Sequence, residues 1–342
     1  MKLIYNYTFD NLVEILINQG YKKYRASQVW DWLYQKRVSD FEQMKNLPKD
    51  LIEWLTNNYY FSELTLIQRL TSSDGTEKFL YRLSDGNLIE SVVMRHHYGN
   101  SICISTQIGC NIGCSFCASG LLKKKRNLDV GEMVLQIIES EKLIDDKISS
   151  VVLMGIGEPF DNFDNVVDLL KILNDQKGFN IGARRLTVST SGIVPKIYEF
   201  ADLKLQVNLA ISLHAATDEV RSKLMKINNV YNVSQVIDAT KYYLEVTNRR
   251  VTIEYILIDG VNDSENDATE LVNLLKGMNV YINLIPYNAV FESPYKRSTD
   301  LKMKKFLHYL KRGGLDVTLR KEQGHDIDAA CGQLRSIQEK KS

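Results

Sequence analysis

The stretch Cys110-Asn-Ile-Gly-Cys114-Ser-Phe-Cys117-Ala-Ser-Gly120 decides how the rest of this 342-residue chain is interpreted. Its three thiols, at positions i, i+4 and i+7, are one ligand short of a tetrahedral metal site or a fully ligated iron–sulfur cluster. Three thiolates suit a [4Fe–4S] cluster with one open iron, where a small molecule can bind and react. That iron can chelate the amino and carboxylate groups of S-adenosylmethionine. The motif therefore predicts three cluster ligands and one open iron to which a molecule of this kind can bind.

A structural zinc site is the alternative for these thiols. Such a site needs four protein ligands, usually from two Cys-x-x-Cys pairs or from cysteine combined with histidine. His96 and His97 are near enough in sequence to supply the fourth ligand. A Cys₃His zinc site is therefore a second interpretation of the same residues.

The composition is that of an ordinary globular protein, with 44% hydrophobic residues, 25% charged residues and a net charge of +1. A nearly neutral total neither requires nor excludes a nucleic-acid partner, because it can hide a basic face. No apolar run is long enough to cross a bilayer, and the start of the chain lacks an apolar signal core. We therefore expect a cytoplasmic location, no membrane partner, and reduced thiols used for metal binding or catalysis.

Hydrophobic periodicity divides the chain into four predicted parts. Residues 1–60 have helical spacing, with helix starts near Thr8 and Pro48. Residues 61–98 alternate like strands around two Asp-Gly turns and form a β-hairpin extension that contains Glu90. Residues 99–334 alternate apolar strands with helices, and residues 335–342 form a polar tail.

The alternation in residues 99–334 predicts an α/β fold. Strands of nearly continuous apolar character, each followed by a helix, indicate a parallel sheet covered by helices. With about six such units, the expected closure is a partial (β/α)₆-type barrel rather than a flat doubly wound sheet.

Distinctive residues follow several of these strands. Ligands bind at the carboxyl ends of the strands in parallel sheets, so residues at those ends are binding candidates. Turns after strands favour Gly, Ser and Asn in any case, and the shared position at one rim is what favours a site. The predicted binding residues are Gly157, Glu158, Ser189, Ser212, Leu213, His214 and Asn288.

Six further motifs resemble the RlmN/Cfr family of radical-SAM RNA methyltransferases. The resemblance extends from the N-terminal helices to Leu334, nearly the whole chain, and implies the radical-SAM partial barrel. The motifs are Gln107-Ile-Gly-Cys110, Lys125-Arg-Asn-Leu128, Met154-Gly-Ile-Gly-Glu-Pro159, Thr187-Val-Ser-Thr-Ser-Gly192, Ile211-Ser-Leu-His-Ala215 and Asp326-Ile-Asp-Ala-Ala-Cys-Gly-Gln-Leu334.

The resemblance implies a role for each of the five cysteines. Cys110, Cys114 and Cys117 match the cluster ligands of the family. Cys331 matches the cysteine that carries a methyl group as a covalent intermediate. Cys103 matches the cysteine that resolves the protein–RNA adduct by forming a disulfide with Cys331.

The implied reaction uses two molecules of S-adenosylmethionine per turnover. The first methylates Cys331, and the second is cleaved at the cluster to give a 5′-deoxyadenosyl radical that takes hydrogen from this methyl group. The resulting carbon radical adds to adenine, Glu90 accepts the ring proton, and Cys103 releases the product. The seven rim residues match contacts to S-adenosylmethionine, with Leu213 contributing only its backbone.

Two activities compete within the family. Some members methylate carbon 2 of adenosine, whereas Cfr-type members methylate carbon 8 and confer antibiotic resistance. The segments Gly157-Glu-Pro159, Thr190-Ser-Gly192 and Ala210-Ile-Ser-Leu-His214 favour carbon 2. The resemblance then implies 23S ribosomal RNA at the peptidyl-transferase centre, and transfer RNA at the adenosine 3′ of the anticodon, as substrates.

The resemblance also implies a flavodoxin- or ferredoxin-type electron donor, and we expect a monomer whose N-terminal helical domain helps to hold RNA. Lys123, Lys124, Lys125 and Arg126 form the densest basic run, which is either a phosphate contact or a solvated loop. The alternative from another functional class is a non-catalytic RNA-binding protein with a structural metal site.

Overall fold

The computed structural model of the protein describes residues 1–290 and 293–334. The predicted polar tail, residues 335–342, lies outside the described residues. The first 60 residues are mainly helical, as their periodicity predicts, and the side chains of Thr8 and Asn11 form a capping box at the first helix. This part contains α1 (Phe9–Asn18), α2 (Tyr24–Tyr34) and α3 (Lys49–Asn58), with β1 (Lys2–Leu3) parallel to β2 (Tyr59–Tyr60).

An antiparallel section follows, and its four strands form one side of the ten-stranded main sheet. Its strands are joined by tight turns at Gly75 and Gly86, both of which have positive φ. A short pair of strands then brackets the cysteine stretch. The strands are β3 (Thr65–Thr71), β4 (Glu77–Arg82), β5 (Leu88–His96) and β6 (Gly99–Cys103), then β7 (Gln107–Ile108) paired with β8 (Arg126–Asn127).

The parallel section begins where β6 pairs with β9, and its strands then stand side by side in chain order. Nearly every residue of these strands is buried or half-buried, in keeping with their apolar sequence. The strands are β9 (Ile148–Leu153), β10 (Leu186–Thr190), β11 (Asn208–Ser212), β12 (Val251–Leu257), β13 (Val280–Pro286) and β14 (Val317–Leu319). The helices are α4 (Val130–Ile144), α5 (Phe163–Asn174), α6 (Val194–Asp202), α7 (Asp218–Leu224), α8 (Val233–Thr247), α9 (Glu265–Leu275) and α10 (Asp300–Arg312).

The result is one ten-stranded sheet that runs from β14 to β3. Its edge strands β14 and β3 do not pair in the described part of the chain, so the barrel is open. The predicted α/β partial barrel with an added β extension is therefore confirmed. None of the helices in the described ranges is long and apolar enough to cross a membrane.

The N-terminal helices share a hydrophobic core with the barrel. Trp30 is 1% exposed and belongs to the same cluster as the inner residues of α4 and α5. Its indole Nε1 donates to Asp175 Oδ1 at 3.0 Å, and Arg37 Nη2 donates to Glu141 Oε2 at 2.7 Å. The predicted domain boundaries at 60 and 98 remain predictions. At the boundary near residue 60, the hydrophobic core of the N-terminal helices continues into that of the barrel.

Candidate active site

Two cavities adjoin at the carboxyl ends of the parallel strands, where the rim residues are expected. The cluster cavity is lined by Cys110, Cys114 and Cys117 together with the ends of β9, β10 and β11. The thiol cavity extends from Cys103 into the barrel. Five of the residues that border both cavities are Cys117, Met154, Glu254, Cys331 and Gly332. The fold thus brings all five cysteines to one region.

The cysteine stretch forms a tight loop between β7 and β8. Gly109 and Gly113 have φ values of +74° and +67°, a region that side chains rarely adopt. At Gly109 an added Cβ would also meet the carbonyl oxygen of Lys123 at 2.4 Å. The local sequence therefore folds the chain sharply enough to turn the three thiols toward one cavity.

The electrostatics of these thiols fit a metal cluster. Burial raises the pKa of the Cys110 thiol to about 12 and also raises the pKa of Cys114, where the neighbouring thiols Cys117 and Cys110 add to the rise. Burial raises the pKa of Cys117 as well. Thiolates are therefore costly here unless a cation binds them, and iron ligation provides that stabilisation.

The zinc interpretation has no support from the structure. His96 and His97 lie at the turn between β5 and β6, where a ring nitrogen of His96 is 2.9 Å from Ser101 Oγ and the His96 ring stacks on Tyr98. Within residues 1–290 and 293–334, no three His, Cys, Asp or Glu side chains are grouped closely enough to hold a single metal ion. A four-iron cluster does not need such a group, because each thiolate binds a different iron.

The turn after β9 is fixed by Glu158. This carboxylate is 4% exposed and accepts hydrogen bonds from the backbone N–H of Phe160 at 2.9 Å and of Ser191 at 2.7 Å. Burial raises its pKa, while these donors act in the opposite direction. Gly157 has a φ of +107°, and an added Cβ there would meet Gln107 at 2.6 Å. Both predicted residues line the cluster cavity, and Glu158 also ties two strand ends together.

Ser189, Ser212 and His214 also line the cluster cavity. The two hydroxyl oxygens are 3.3 Å apart on neighbouring strands. His214 Nδ1 accepts from the backbone N–H of Ile256 at 3.1 Å, which leaves the proton on Nε2. Burial, with the charge of Arg221, lowers the pKa of His214 to about 3, so the imidazole is neutral. Leu213 is fully buried and is not among the described residues that line either cavity.

Asn288 is the predicted rim residue that lies in the thiol cavity. Its Nδ2 donates to the carbonyl oxygen of Cys331 at 3.2 Å. Its Oδ1 and the Oγ of Ser191 are buried without a hydrogen-bond partner among the described residues. Buried polar atoms of this kind are normally satisfied, so these two are available to a polar ligand such as S-adenosylmethionine.

Cys103 and Cys331 share the thiol cavity, although 228 positions separate them in the sequence. Cys103 ends β6, and burial together with the nearby Cys331 raises its pKa to about 12. Cys331 lies in the loop after β14, and its Sγ accepts a hydrogen bond from Arg320 Nη1 at 3.1 Å. The structure therefore brings together the two thiols that the resemblance pairs.

Glu90 lies close to this pair but is not among the described residues that line either cavity. It is 5% exposed and lies on β5, two residues before the cavity-lining Val92, so both side chains share one face of the strand. Lys78 Nζ is 3.6 Å from Glu90 Oε1 and donates to the carbonyl oxygen of Asp328 at 3.0 Å. Lys78 thus connects the predicted proton acceptor to the loop that carries Cys331.

That loop, residues 324–334, is held at both ends. The turn between β3 and β4 binds one end, where Gly324 N–H donates to Asp74 Oδ2 at 3.0 Å and Ser73 N–H donates to Asp326 Oδ2 at 3.1 Å. The cysteine stretch binds the other end, where Ala118 N–H donates to the carbonyl oxygen of Gly332 at 2.7 Å. The loop therefore crosses from the β extension to the cluster cavity.

Sequence reasoning missed two charged residues of the site. Glu254, on β12, is 4% exposed, borders both cavities and accepts from Asn283 Nδ2 at 2.8 Å. Burial raises its pKa to about 7, although the positive charge of Arg320 acts to lower this pKa. Arg320 follows β14 directly. Arg320 obeys the strand-end rule that identified the other residues. Glu254 lies in the middle of its strand, and an acid within an apolar strand was the available signal for it.

The basic run after the cysteine stretch is mostly paired within the protein. Lys124 forms an ion pair with Asp161 at 2.8 Å, and Arg126 pairs with both Asp85 and Glu132 at 2.7 Å. Lys125 Nζ donates to Asn87 Oδ1 at 2.9 Å. These contacts tie the loop to the turn between β4 and β5, which favours a structural role over a phosphate site for this run.

Comparisons with known proteins match the two parts of the chain separately. Residues 104–272 match the model of the radical SAM superfamily. Residues 3–60 match the model described as the ribosomal RNA large subunit methyltransferase N-terminal domain.

Similar proteins cover almost the entire chain. A probable dual-specificity RNA methyltransferase RlmN of Acholeplasma laidlawii is 58% identical over 98% of this chain and 99% of its own length. Its namesake from Staphylococcus aureus strain MW2 is 54% identical over 97% of this chain and 92% of its own length. The crystal structure of a radical SAM methyltransferase from Sphaerobacter thermophilus superposes with a TM-score of 0.92 at 41% identity, covering 98% of this chain and all of that one.

Proposed function

This chain belongs to the RlmN family of radical-SAM RNA methyltransferases, and from that membership we propose that it methylates carbon 2 of adenosine in 23S ribosomal RNA and in transfer RNA. The proposed positions are the peptidyl-transferase centre and the adenosine 3′ of the anticodon. The observation that carries the proposal is the convergence of all five cysteines on two adjoining cavities. Family membership makes the chain an enzyme, so the non-catalytic alternative is wrong.

The cofactors of this family are a [4Fe–4S] cluster and S-adenosylmethionine, and the residues present fit both. Cys110, Cys114 and Cys117 would hold the cluster, and the backbone around Gly157, with Ser189 and Asn288, would contact S-adenosylmethionine. When bound, the pair supplies a 5′-deoxyadenosyl radical in a site that excludes water.

The residues of the thiol cavity have complementary proposed roles. Cys331 accepts a methyl group and carries it. Its position at the border of the cluster cavity and the thiol cavity supports this role. Glu90 accepts the proton from the adenine ring, and Lys78 holds its carboxylate beside the Cys331 loop. Cys103 forms a disulfide with Cys331 to release the RNA, and its position in the same cavity supports that pairing.

Mass spectrometry of the modified RNA tests the proposal. Unmodified 23S RNA fragments and transfer RNA are incubated anaerobically with the reconstituted enzyme, S-adenosylmethionine and a reductant, then digested to nucleosides. We expect 2-methyladenosine from both substrates and none from a Cys331→Ala control. Detection of 8-methyladenosine would establish the Cfr-type alternative instead, and methylation of only one RNA class would contradict the dual specificity.

We further propose a flavodoxin- or ferredoxin-type electron donor, a monomeric enzyme with the N-terminal helices helping to hold RNA, and action in the cytoplasm, where these RNAs function. Light scattering coupled to size exclusion tests the monomer. Reduction of the cluster by purified flavodoxin, followed by its absorbance, tests the donor.

A further inference from the structure

A guanidinium group contacts the sulfur atom on which the proposed chemistry depends. Arg320 directly follows β14, and its backbone N–H donates to the carbonyl oxygen of Leu284 at 2.8 Å, which fixes its position beside β13. From there its Nη1 reaches the Sγ of Cys331 at 3.1 Å. Nothing in the sequence motifs assigns a role to Arg320.

Few other charged side chains lie near Arg320 in the two cavities. Arg320 is the one lysine or arginine among the described residues that line either cavity. The buried carboxyl group of Glu254 lies near Arg320 in the same cavity. The distance between the guanidinium nitrogens and the carboxyl oxygens exceeds the 4.0 Å limit for an ion pair. The hydrogen bond from Arg320 is therefore directed at the sulfur rather than at a carboxylate.

We propose that Arg320 is a catalytic residue of the first methyl transfer, in which it holds Cys331 Sγ as the attacking thiolate. This inference rests on the proposed role of Cys331 as the methyl carrier. The thiol proton first leaves to solvent, and the guanidinium stabilises the remaining negative charge through a charge-assisted hydrogen bond.

The step balances in atoms and charge. A sulfur electron pair of Cys331 forms the Sγ–CH₃ bond, the sulfonium S–CH₃ bond of S-adenosylmethionine breaks, and its electrons stay on the departing S-adenosylhomocysteine. An anion and a cation become two neutral thioethers. The thioether is a poor acceptor, so the hydrogen bond from the guanidinium weakens and the methylated sulfur is released from the arginine.

Alkylation of Cys331 measures this interaction without RNA or methyl transfer. Losing the charge-assisted hydrogen bond from Arg320 removes an interaction worth roughly 10- to 100-fold, and the higher intrinsic nucleophilicity of a sulfur without that bond partly offsets the loss in rate. We therefore expect Arg320→Gln to slow alkylation by iodoacetamide about tenfold. The effect on iodoacetate should be larger, because Arg320 also attracts this anionic reagent.

The experiment uses anaerobically reconstituted enzyme that intact-mass analysis shows to be unmethylated. Tryptic peptide 322–335 contains Cys331 as its single cysteine, so its alkylation is read separately from the other four thiols. Arg320→Lys should restore most of the rate and of the iodoacetate preference. The matched control is Arg250→Gln, which removes an exposed arginine that pairs with Asp316 and lines neither cavity, and it should change neither.

Unchanged rates and an unchanged reagent preference in Arg320→Gln would overturn the proposal, as would a lysine variant no better than the glutamine variant. If Arg320→Gln fails to assemble the cluster, the wild-type enzyme provides the test. The ratio of the iodoacetate rate to the iodoacetamide rate at Cys331 is then compared between the folded and the urea-unfolded wild type. A ratio no higher in the folded enzyme would also overturn the proposal. Failure of the proposed function itself is distinguishable, since it would show as missing 2-methyladenosine with the alkylation pattern intact.

Discussion

Cys331 borders two cavities, and it is the residue on which the proposed chemistry depends most directly. Cys331→Ala is expected to abolish RNA methylation, because no other described thiol touches both cavities except Cys117, a proposed cluster ligand. The cluster absorbance should be unchanged. Loss of that absorbance would identify Cys331 as an iron ligand and contradict its role as methyl carrier.

Cys103 has a role only at the end of the proposed reaction. Cys103→Ala is expected to accumulate protein covalently attached to RNA, because the adduct forms but no neighbouring thiol resolves it. A denaturing gel with labelled RNA detects the shifted band, and Cys103/Cys331 double substitution to alanine is the control that should remove it. Full turnover with only free protein on the gel would refute this role.

Glu254 should make the stability of the protein depend on pH. Burial raises its pKa from 4.5 to about 7, so the folded state holds this proton more tightly than the unfolded state. Its stabilising contribution is complete below pH 4.5 and is lost as the pH rises through 7. Between pH 5 and pH 8 the wild type should therefore lose about 3 kcal/mol more unfolding free energy than Glu254→Gln.

Urea unfolding at the two pH values measures this difference. Glu42→Gln, at an exposed position, is the control and should follow the wild type. Parallel pH profiles for the wild type and Glu254→Gln would show that Glu254 is ionised at neutral pH in the folded state.

At the scale of single residues, the sequence identifies functional groups better than the contacts between them. The cysteines and the strand-end residues are recognisable because their chemistry and spacing are unusual. Leu213 is different, because its side chain is buried in the core. The contact of Arg320 with Cys331 was not predictable, since this sulfur lies on a loop whose path depends on contacts 250 residues away in the chain.

At the scale of elements, the loop 324–334 and the β3–β4 turn form one unit. Asp326→Ala removes acceptors for the Ser73 N–H and the Ser72 hydroxyl. Hydrogen exchange of the loop amides should then accelerate by roughly 10-fold or more, since each such bond contributes about 1 kcal/mol. Methylation should fall while the cluster absorbance stays unchanged.

Asp316→Ala is the matched control for this loop, because its carboxylate forms an exposed ion pair with Arg250. It should leave the exchange of residues 324–334 unchanged. Equal exchange in Asp326→Ala and the wild type would mean that the turn does not hold the loop.

Helix bounds were predictable because the signals that start helices are local. The spacing predicts helices over 164–174, 233–246 and 300–312, and the structure has Phe163–Asn174, Val233–Thr247 and Asp300–Arg312. Asn232 and Thr299 cap the last two. The pairing of β6 with both β5 and β9 was not predictable, because strand neighbours depend on long-range packing rather than on local sequence.

At the scale of the whole molecule, the N-terminal helices and the barrel should unfold together. Trp30→Ala is expected to lower the free energy of unfolding by about 3–5 kcal/mol, because it empties space in the shared core. Trp32→Ala, on the same helix but only partly buried, should cost less. Denaturant unfolding followed by circular dichroism should show one shifted transition; a separate early transition confined to the helices would contradict a shared core.

The open edge of the barrel gives the loop 324–334 a further consequence. The loop leaves β14, at one free edge of the sheet, and is anchored to the turn beside β3, at the other. Cys331 therefore lies on a loop that crosses the gap between the two free edges of the sheet, and it borders both the cluster cavity and the thiol cavity. If Cys331 carries a methyl group as proposed, rotation of its side chain would move that group from the cluster cavity to the thiol cavity without opening the sheet.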